Sequence, residues 1–196
     1  MMTLTSRPAL AQAIWPQVSV WREVLVVLLG SWLVALLAQV TIPLQPVPIT
    51  GQTFGVLLVG AALGARRGAM AMLVYLAQGL LGLPFFAGGA SGIGRLLGPT
   101  GGYLVGFVFA AALVGWLSEC GWDRRFLSTL AAMALGSGLI YAFGVPWLAQ
   151  FVAGVDRALT VGMLPFLLGD ALKAVLAALM LPTAWATLGR IQSRGA

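Results

Sequence analysis

"PFLLGDALKAVLAALM", residues 165–180, is an apolar stretch with one acid and one base inside it. Lys173 is the only lysine in the chain, and Asp170 lies one helical turn before it. Two residues three positions apart on a helix share a face. A charge at membrane depth costs about 2.5–3.5 kcal/mol on insertion scales, so we expect neither side chain to face lipid. The stretch therefore predicts a membrane helix with a polar site turned toward the protein interior.

The rest of the chain has the same apolar character. Of its 196 residues, 60% are hydrophobic and 8% are charged, with a mean hydropathy of +0.99. Soluble domains carry about 25% charged residues, so we predict an integral membrane protein forming one compact bundle. The 26 glycines indicate closely packed helices. The net charge of +6 comes from arginines scattered between apolar spans, which argues against nucleic-acid binding.

Several chemistries are excluded by the residues present. The sequence contains no histidine, which removes His metal sites and Ser–His dyads. Cys120 is the only cysteine, so no intramolecular disulfide can form. The serine of "GASG", residues 89–92, has no general base, and the glycines before Arg95 fit neither a phosphate loop nor a dinucleotide motif. We therefore expect neither an enzyme nor a chain with a cofactor or metal of its own.

The apolar runs predict an all-α fold, a bundle of six transmembrane helices. A spanning helix needs about 20 apolar residues. On that template the crossings cover residues 21–41, 50–65, 68–82, 101–117, 126–148 and 164–189. The domain organisation that follows is a single membrane domain over residues 1–196. It comprises a cytoplasmic segment 1–20, the bundle 21–189 and a cytoplasmic tail 190–196.

The distribution of arginines predicts the orientation. Cytoplasmic loops are enriched in Lys and Arg. With a cytoplasmic N-terminus, only Arg95 and Arg157 fall outside. The arginines that then fall inside are Arg7, Arg22, Arg66, Arg67, Arg124, Arg125, Arg190 and Arg194. An even number of helices places both termini in the cytoplasm.

Two loops on the predicted outer side differ from solvated linkers. The loop 42–53 contains three prolines and no charge, and the loop 82–102 is rich in glycine with Arg95 as its one charge. Prolines favour an extended path. Irregular backbone at membrane depth requires cover by protein or a water-filled cavity. We expect both loops to fold over the outer mouth of the bundle as a lid that caps a pocket.

Two interpretations of Asp170 and Lys173 remain open. They form either an internal ion pair that locks the sixth helix or a ligand site open to the outside. As a ligand site they offer a carboxylate acceptor and an ammonium donor. Arg95, in the lid above, is either a clamp for an anionic ligand or a solvated loop charge.

The sequence resembles the BioY family in several motifs. These are "PLQPVPITGQTFGVLLVGAALGARRGAMAMLVYLAQGLLGLPFFAGG", "LLGPTGGYLVGF" and "PFLLGDALKA". BioY proteins are the biotin-binding S components of energy-coupling factor (ECF) vitamin transporters. The resemblance covers about residues 21–188. It implies six helices, a biotin pocket on the extracellular side and a multi-pass location in the prokaryotic plasma membrane. It also implies two kinds of partner, a transmembrane T component and two cytoplasmic ATPases that use ATP.

The resemblance also implies site residues. Asp170 and Lys173 correspond to the family's biotin site on the sixth helix, and further pocket candidates are Gln52, Phe86, Gly88 and Tyr103. Biotin carries a ureido ring with two N–H donors, an apolar thiophane ring and a carboxylate. Asp170 would accept from the ureido group, the aromatic side chains would pack on the rings, and a cation such as Arg95 would hold the carboxylate.

A partner surface is expected on the first helix. S components carry small residues where the T component packs, and Ser31 and Ala35 have the corresponding small-x-x-x-small spacing. Ordinary packing within the chain is the alternative explanation for this pair.

Three other functions stay open at this point. A proton-coupled permease would use Asp170 to exchange a proton, although a nearby lysine favours the charged form and no histidine completes a relay. A scaffold subunit would contain the salt bridge without a ligand. An S component for another vitamin would share the whole architecture.

Overall fold

The computed structural model describes residues 8–15 and 19–194. The predictions for Arg7, the side chain of Arg194 and residues 195–196 lie outside this description. The described chain is helical apart from loops and one small hairpin. Its helices are α1 (Leu10–Ile14), α2 (Val20–Gln39), α3 (Gln52–Leu63), α4 (Ala65–Leu80), α5 (Ile93–Leu97), α6 (Gly101–Glu119), α7 (Phe126–Leu148), α8 (Gly154–Gly162) and α9 (Leu164–Arg194).

Each predicted crossing coincides with a helix, namely α2, α3, α4, α6, α7 and α9. By length and composition, α2, α6, α7 and α9 are long and apolar enough to cross a membrane. Helix α3 has 12 residues and α4 has 16. At 1.5 Å per residue these two are about 18 and 24 Å long, short of the ~30 Å hydrocarbon core. The all-helical membrane fold is thus confirmed with four spans of full length.

The break between α3 and α4 has a local cause. Gly64 adopts φ 86°, a left-handed conformation that side chains with a Cβ rarely adopt. The Glu119 Oε1 atom, at the end of α6, accepts a hydrogen bond from the Ala65 backbone N at 3.0 Å. An acceptor at this position caps the first turn of α4. The turn therefore separates two helices that sequence hydropathy alone treats as adjoining spans.

Helix α6 is the centre of the bundle and packs against α7, α3 and α4. Glycine permits the closest approach. A Cβ on Gly60 would lie 2.6 Å from the Ala111 carbonyl oxygen, and one on Gly68 would lie 2.9 Å from the Gly60 Cα. Helices α3, α4 and α6 therefore touch through their backbones, as small residues allow in membrane bundles. Large apolar side chains point outward instead, for example Trp21 and Leu168, which are 82% and 85% exposed.

Both predicted lid loops have more regular structure than expected. The proline-rich loop is closed by an antiparallel pair, β1 (Thr41–Ile42) and β2 (Ile49–Thr50), with Thr41 opposite Thr50. The glycine-rich loop contains a bridge between Phe86 and Ala90, a 3-10 turn over Ala87–Gly89 and helix α5. Both loops cover the end of the bundle where α2 and α4 end and α3 and α6 begin. This end contains the cavity described next.

Candidate functional site

A cavity lies beneath the two loops, between α3, α6, α7 and α9. The empty space between its lining atoms, including its open mouth, is about 630 Å³. A concave site lined by apolar and aromatic side chains with a small number of polar groups is typical of small-molecule binding. Apolar side chains form most of the wall and polar groups are few. The lining residues are Val47, Pro48, Thr50, Gln52, Thr53, Phe86, Ala87, Arg95, Thr100, Tyr103, Leu104, Phe107, Ile140, Tyr141, Phe166 and Lys173.

Lys173 projects from α9 into the cavity wall with its ammonium group fully hydrogen-bonded. Its Nζ donates to the Asp170 Oδ1 at 3.0 Å, the Thr53 Oγ1 at 2.8 Å and the Thr50 carbonyl oxygen at 2.9 Å. An ammonium has three donor protons, so all three are matched. The side chain is 19% exposed. This arrangement fixes a positive charge beside the cavity and joins α9 to the start of α3.

Asp170 lies behind this wall rather than in it. It is 7% exposed, and its Oδ1 accepts hydrogen bonds from Lys173 Nζ and from the Thr53 Oγ1 at 3.1 Å. Its Oδ2 accepts from the Tyr141 hydroxyl. Asp170 does not line the main cavity but borders a smaller one of about 190 Å³. Because Lys173, Thr53 and Tyr141 all line the main cavity, Asp170 orients three of its polar groups at once.

Gln52 organises a second polar network, which meets the first at Thr50. Its Oε1 accepts from the Thr50 Oγ1 at 3.0 Å, and its Nε2 donates to the Tyr75 hydroxyl at 2.5 Å. That hydroxyl donates in turn to the Phe85 carbonyl oxygen at 3.1 Å. The chain of bonds runs from the hairpin through α3 and α4 to the glycine-rich loop. Gln52 thus lines the cavity and also ties the two loops to the bundle.

Aromatic side chains form the apolar wall. Phe86 is 2% exposed and packs edge-on against Tyr75 with ring centroids 5.7 Å apart. The Tyr103 hydroxyl donates to the Gly162 carbonyl oxygen at 2.9 Å, which fixes its ring on the cavity side of α6. Phe107 and Phe166 extend the same surface. Flat, rigid rings of this kind suit the packing of a fused ring ligand.

Arg95 lies on α5 in the glycine-rich loop, exposed at the edge of the cavity. Within the described chain it forms no ion pair. Arg95 and Lys173 are the charged residues among the cavity lining, and no carboxylate lines it. Lys173 is paired with Asp170, so Arg95 is the charge of the lining that has no ion pair in the described chain, and it favours a ligand with a negatively charged group.

The structure therefore brings together most of the residues predicted from sequence. Gln52, Phe86, Arg95, Tyr103 and Lys173 line one cavity, and Asp170 supports it from behind. Gly88 does not line it; its φ of 69° serves the 3-10 turn of the loop above.

The predicted partner residues on α2 lie inside the chain. Ser31 is fully buried, and its Oγ lies within hydrogen-bond distance of two acceptors, the Leu28 carbonyl oxygen at 2.8 Å and the Gln78 Oε1 of α4 at 3.0 Å. Ala35 is 5% exposed. Their burial favours the alternative of packing within the chain.

Sequence reasoning missed Thr50, Thr53 and Tyr141. Both threonines lie within the motif "PVPITGQT". They lie three residues apart where α3 begins. The Thr50 carbonyl oxygen and the Thr53 hydroxyl both accept hydrogen bonds from Lys173. Tyr141 is one of three tyrosines in the chain and sits within an apolar span. A hydroxyl in such a span is a detectable signal, because a buried tyrosine normally has a hydrogen-bond partner.

The fold and the cavity together define a class of protein: a membrane-embedded protein that binds a small, partly apolar molecule with a negatively charged group. Within the described residues, no group of three or more His, Cys, Asp or Glu side chains could hold a metal ion.

The chain belongs to the BioY family, whose sequence profile it matches over residues 7–190. It is 41% identical to the biotin transporter BioY of Rhizobium etli, over 80% of this chain and 89% of that one. It is 40% identical to the biotin transporter BioY of Thermotoga maritima, over 79% and 86% of the two chains.

A solved structure supports the same assignment. The crystal structure of the S-component for biotin from an ECF-type ABC transporter superposes with a TM-score of 0.73 at 26% identity, covering 85% of this chain and 94% of that one. With four long apolar helices and prokaryotic relatives, the chain is a multi-pass protein of the prokaryotic plasma membrane.

Proposed function

We propose that this chain captures biotin and serves in its uptake as the substrate-binding S component of an ECF transporter. The observation that carries the proposal is the aromatic cavity with Arg95 at its mouth, in a fold that matches the S-component for biotin. Family membership places the chain among transport proteins rather than enzymes.

The cavity suggests how biotin is oriented. Its ring system packs against Phe86, Tyr103 and Phe107, and the ureido group lies at the Lys173 end of the cavity. The ureido carbonyl accepts from Lys173, Thr53 or Tyr141 there, once one of them gives up its present hydrogen bond. Both oxygens of Asp170 already accept hydrogen bonds in the structure. Asp170 lies behind Lys173, Thr53 and Tyr141, so a ureido N–H reaches it only after one of these side chains turns away. Arg95, at the mouth, pairs with the carboxylate tail.

The proposal extends to topology and partners. Helices α3 and α4 cross with the four long helices to make six crossings; both are shielded by α6, and local thinning of the bilayer accommodates their shorter length. The single membrane domain spans residues 1–196, with both termini in the cytoplasm and the cavity on the outer side. The chain binds no cofactor itself. ATP is used by two cytoplasmic ATPases, which act through a transmembrane T component.

Uptake of radiolabelled biotin tests the proposal. The chain is expressed in a biotin-requiring bacterium that lacks its own biotin transporter, with and without a T component and its ATPases. We expect uptake that needs the chain, rises with the ATPases and is lost in Asp170→Asn. Asp156→Asn, which changes an exposed acid on α8, is the matched control and is expected to leave uptake unchanged.

Other outcomes would contradict the proposal in distinct ways. Uptake of thiamin or riboflavin in place of biotin would mean an S component for another vitamin. Biotin uptake that is independent of ATPases and abolished by a protonophore would favour a proton-coupled permease.

A further inference from the structure

One wall of the cavity depends on two residues that do not line it. Tyr75 and Gly79 lie one turn apart on the same face of α4, near the end of that helix. Both are buried, and neither belongs to the lining of the main cavity. Both lie against the ring of Phe86, which does line it. We call the arrangement formed by Tyr75 and Gly79 the Phe86 socket.

The Gly79 side of the socket leaves no room for a side chain. A Cβ added to Gly79 would lie 2.3 Å from Phe86 Cζ, 2.5 Å from Cε1 and 2.8 Å from Cε2. These three atoms form the tip of the ring, so the tip points at bare helix backbone. The position of the Phe86 ring therefore requires glycine at residue 79.

The Tyr75 side of the socket holds the ring by packing and the neighbouring backbone by a hydrogen bond. The rings of Tyr75 and Phe86 pack edge to face, an arrangement that aromatic pairs favour, with centroids 5.7 Å apart. The Tyr75 hydroxyl accepts from the Gln52 Nε2 at 2.5 Å and donates to the Phe85 carbonyl oxygen at 3.1 Å. Tyr75 therefore fixes the residue before Phe86 as well as the ring itself.

Backbone hydrogen bonds attach the glycine-rich loop to the same end of α4. The last carbonyls of a helix have no partner within it. Here the Gly79 carbonyl oxygen accepts from the Gly92 backbone N–H at 2.8 Å, and the Gln78 carbonyl oxygen accepts from the Leu83 backbone N–H at 3.1 Å. These bonds lie on both sides of Phe86 in the chain. The socket therefore lies at the centre of the attachment between the loop and the helix.

We propose that Tyr75 and Gly79 are positioning residues for the ligand, and that the Phe86 socket sets how long biotin stays in the cavity. This inference rests on the proposed function, because it takes biotin as the ligand. Phe86 is 2% exposed and belongs to both the cavity wall and the loop. Displacing its ring from the socket opens the wall and loosens the loop together. Release of biotin therefore depends on two residues that do not line the cavity.

Release of radiolabelled biotin from the purified, loaded chain into excess unlabelled biotin tests this inference. Gly79→Ala is expected to speed release about tenfold, because its methyl group displaces the ring tip and an aromatic contact in the wall is lost. Helix propensity alone predicts no such loss, since alanine is favoured over glycine in a helix. Gly138→Ala in α7, with nothing within 4 Å of an added Cβ, is the matched control and should leave release unchanged.

A second substitution separates the socket from general damage to the helix. Leucine lacks the Cε and Cζ atoms that a methyl group at position 79 would meet, so Phe86→Leu removes the clash. In the Phe86→Leu background we expect Gly79→Ala to change release by less than about twofold, because the two residues act through one contact.

Tyr75→Phe tests the hydroxyl apart from the ring. Phenylalanine keeps the edge-to-face packing on Phe86 but loses the hydrogen bonds to Gln52 and Phe85. We expect biotin release about threefold faster than from the parent.

Hydrogen–deuterium exchange of the ligand-free chain tests the socket without biotin. Amides of residues 82–98 are expected to exchange faster in Gly79→Ala, because displacement of the ring weakens the bond from Gly92 to Gly79. In Gly138→Ala the same amides should exchange at the rate of the parent.

Four results would overturn the inference. Unchanged loop exchange in Gly79→Ala would show that the ring does not hold the loop. Faster loop exchange with an unchanged rate of biotin release would remove the positioning role. An equal effect of Gly79→Ala in the parent and in the Phe86→Leu background would assign the loss to the helix. A parent chain that binds no biotin would refute the proposed function, a failure visible before any variant is compared, and the inference would fall with it.

Discussion

At the scale of single residues, the site depends on the three hydrogen bonds that the partly buried ammonium group of Lys173 donates. Lys173 donates to a carboxylate, a hydroxyl and a backbone carbonyl, and two of these three oxygens come from the β2–α3 connection. A charge this deep in a membrane protein is tolerated only when it is paired and hydrogen-bonded. Thr53 has a central position, because its hydroxyl accepts from Lys173 and donates to Asp170.

Thr53→Val keeps the shape of the side chain but removes this hydroxyl. We expect biotin affinity to fall about tenfold, since Lys173 and Asp170 each lose one buried hydrogen bond. Isothermal titration calorimetry measures the change. Thr187→Val, an exposed threonine on α9 that bonds only to its own helix, is the control and should bind biotin like the parent. Unchanged affinity in Thr53→Val would contradict the role given to the network.

Arg95 contributes a charge rather than shape, and its effect depends on the ligand. Arg95→Gln is expected to weaken biotin about tenfold and to leave the uncharged biotin amide unaffected, because only the carboxylate makes a charge-assisted bond. Titration of both ligands into both proteins gives the comparison. The matched control is Arg157→Gln on α8, which lies outside the cavity. An equal loss for biotin and its amide would assign Arg95 to the lid structure instead.

At the scale of helices and turns, the connections position the site as much as the spans do. The α3–α4 turn brings two short helices against α6, and the 3-10 turn Trp122–Arg124 joins α6 to α7 beneath α9. In this second turn Asp123 is 2% exposed, and its Oδ2 accepts from the Trp185 Nε1 at 2.5 Å. Arg124 stacks over the same indole at 4.1 Å. Each turn therefore depends on identified residues whose role mutation can test.

Gly64→Ala tests the first turn. At φ 86° a Cβ costs about 1–2 kcal/mol, and it would also meet the Glu119 side chain that caps α4. We expect a lower melting temperature in detergent. Gly138→Ala is the control: this glycine lies in α7 with nothing within 4 Å of an added Cβ, so alanine there should be neutral or slightly stabilising. Equal melting temperatures for Gly64→Ala and the parent would contradict the strain argument.

Asp123 makes the contribution of the second turn to folding stability depend on pH. Burial raises the pKa of this carboxyl, while the bond from Trp185 and the charge of Arg124 oppose the shift. An acid with a raised folded-state pKa binds its proton more tightly in the native protein. Stability from this group is therefore greatest below its unfolded pKa and falls as pH rises toward the folded pKa. Asp123→Asn removes the titration and still accepts from Trp185.

Thermal melting of the parent and Asp123→Asn in detergent between pH 4 and 7 measures this difference. We expect the parent to lose stability relative to the variant as pH rises from 4 toward the folded-state pKa of Asp123, and to run parallel to it above that pKa. A difference that stays constant, or that changes in the opposite direction, would show that burial does not raise the pKa of Asp123.

At the scale of the whole molecule, the apolar stretches of the sequence alone predicted the position of every long helix. The predicted crossings at 101–117 and 126–148 correspond to Gly101–Glu119 and Phe126–Leu148. The hairpin, α5 and α8 were not predicted, because contacts with distant parts of the chain decide such short segments. Helix α8, for example, is held by the bond from Tyr103 to Gly162.

The site was predictable only in part for the same reason. The spacing of Asp170 and Lys173 on one helix face is visible in the sequence, and so is the isolated charge of Arg95 in an apolar loop. The contact between Thr53 and Asp170 spans 117 residues, and nothing in local spacing indicates it. The displacement of Asp170 from the cavity wall also follows from packing, since Lys173, Thr53 and Tyr141 lie in front of it.

The most direct test of the account is calorimetric titration of biotin into the purified, ligand-stripped chain in detergent, with thiamin and riboflavin as comparison ligands. The account predicts that one biotin binds tightly per chain, that the other vitamins give no heat, and that Asp170→Asn weakens biotin by at least about tenfold. A folded chain that gives no heat with biotin would contradict the account at its centre.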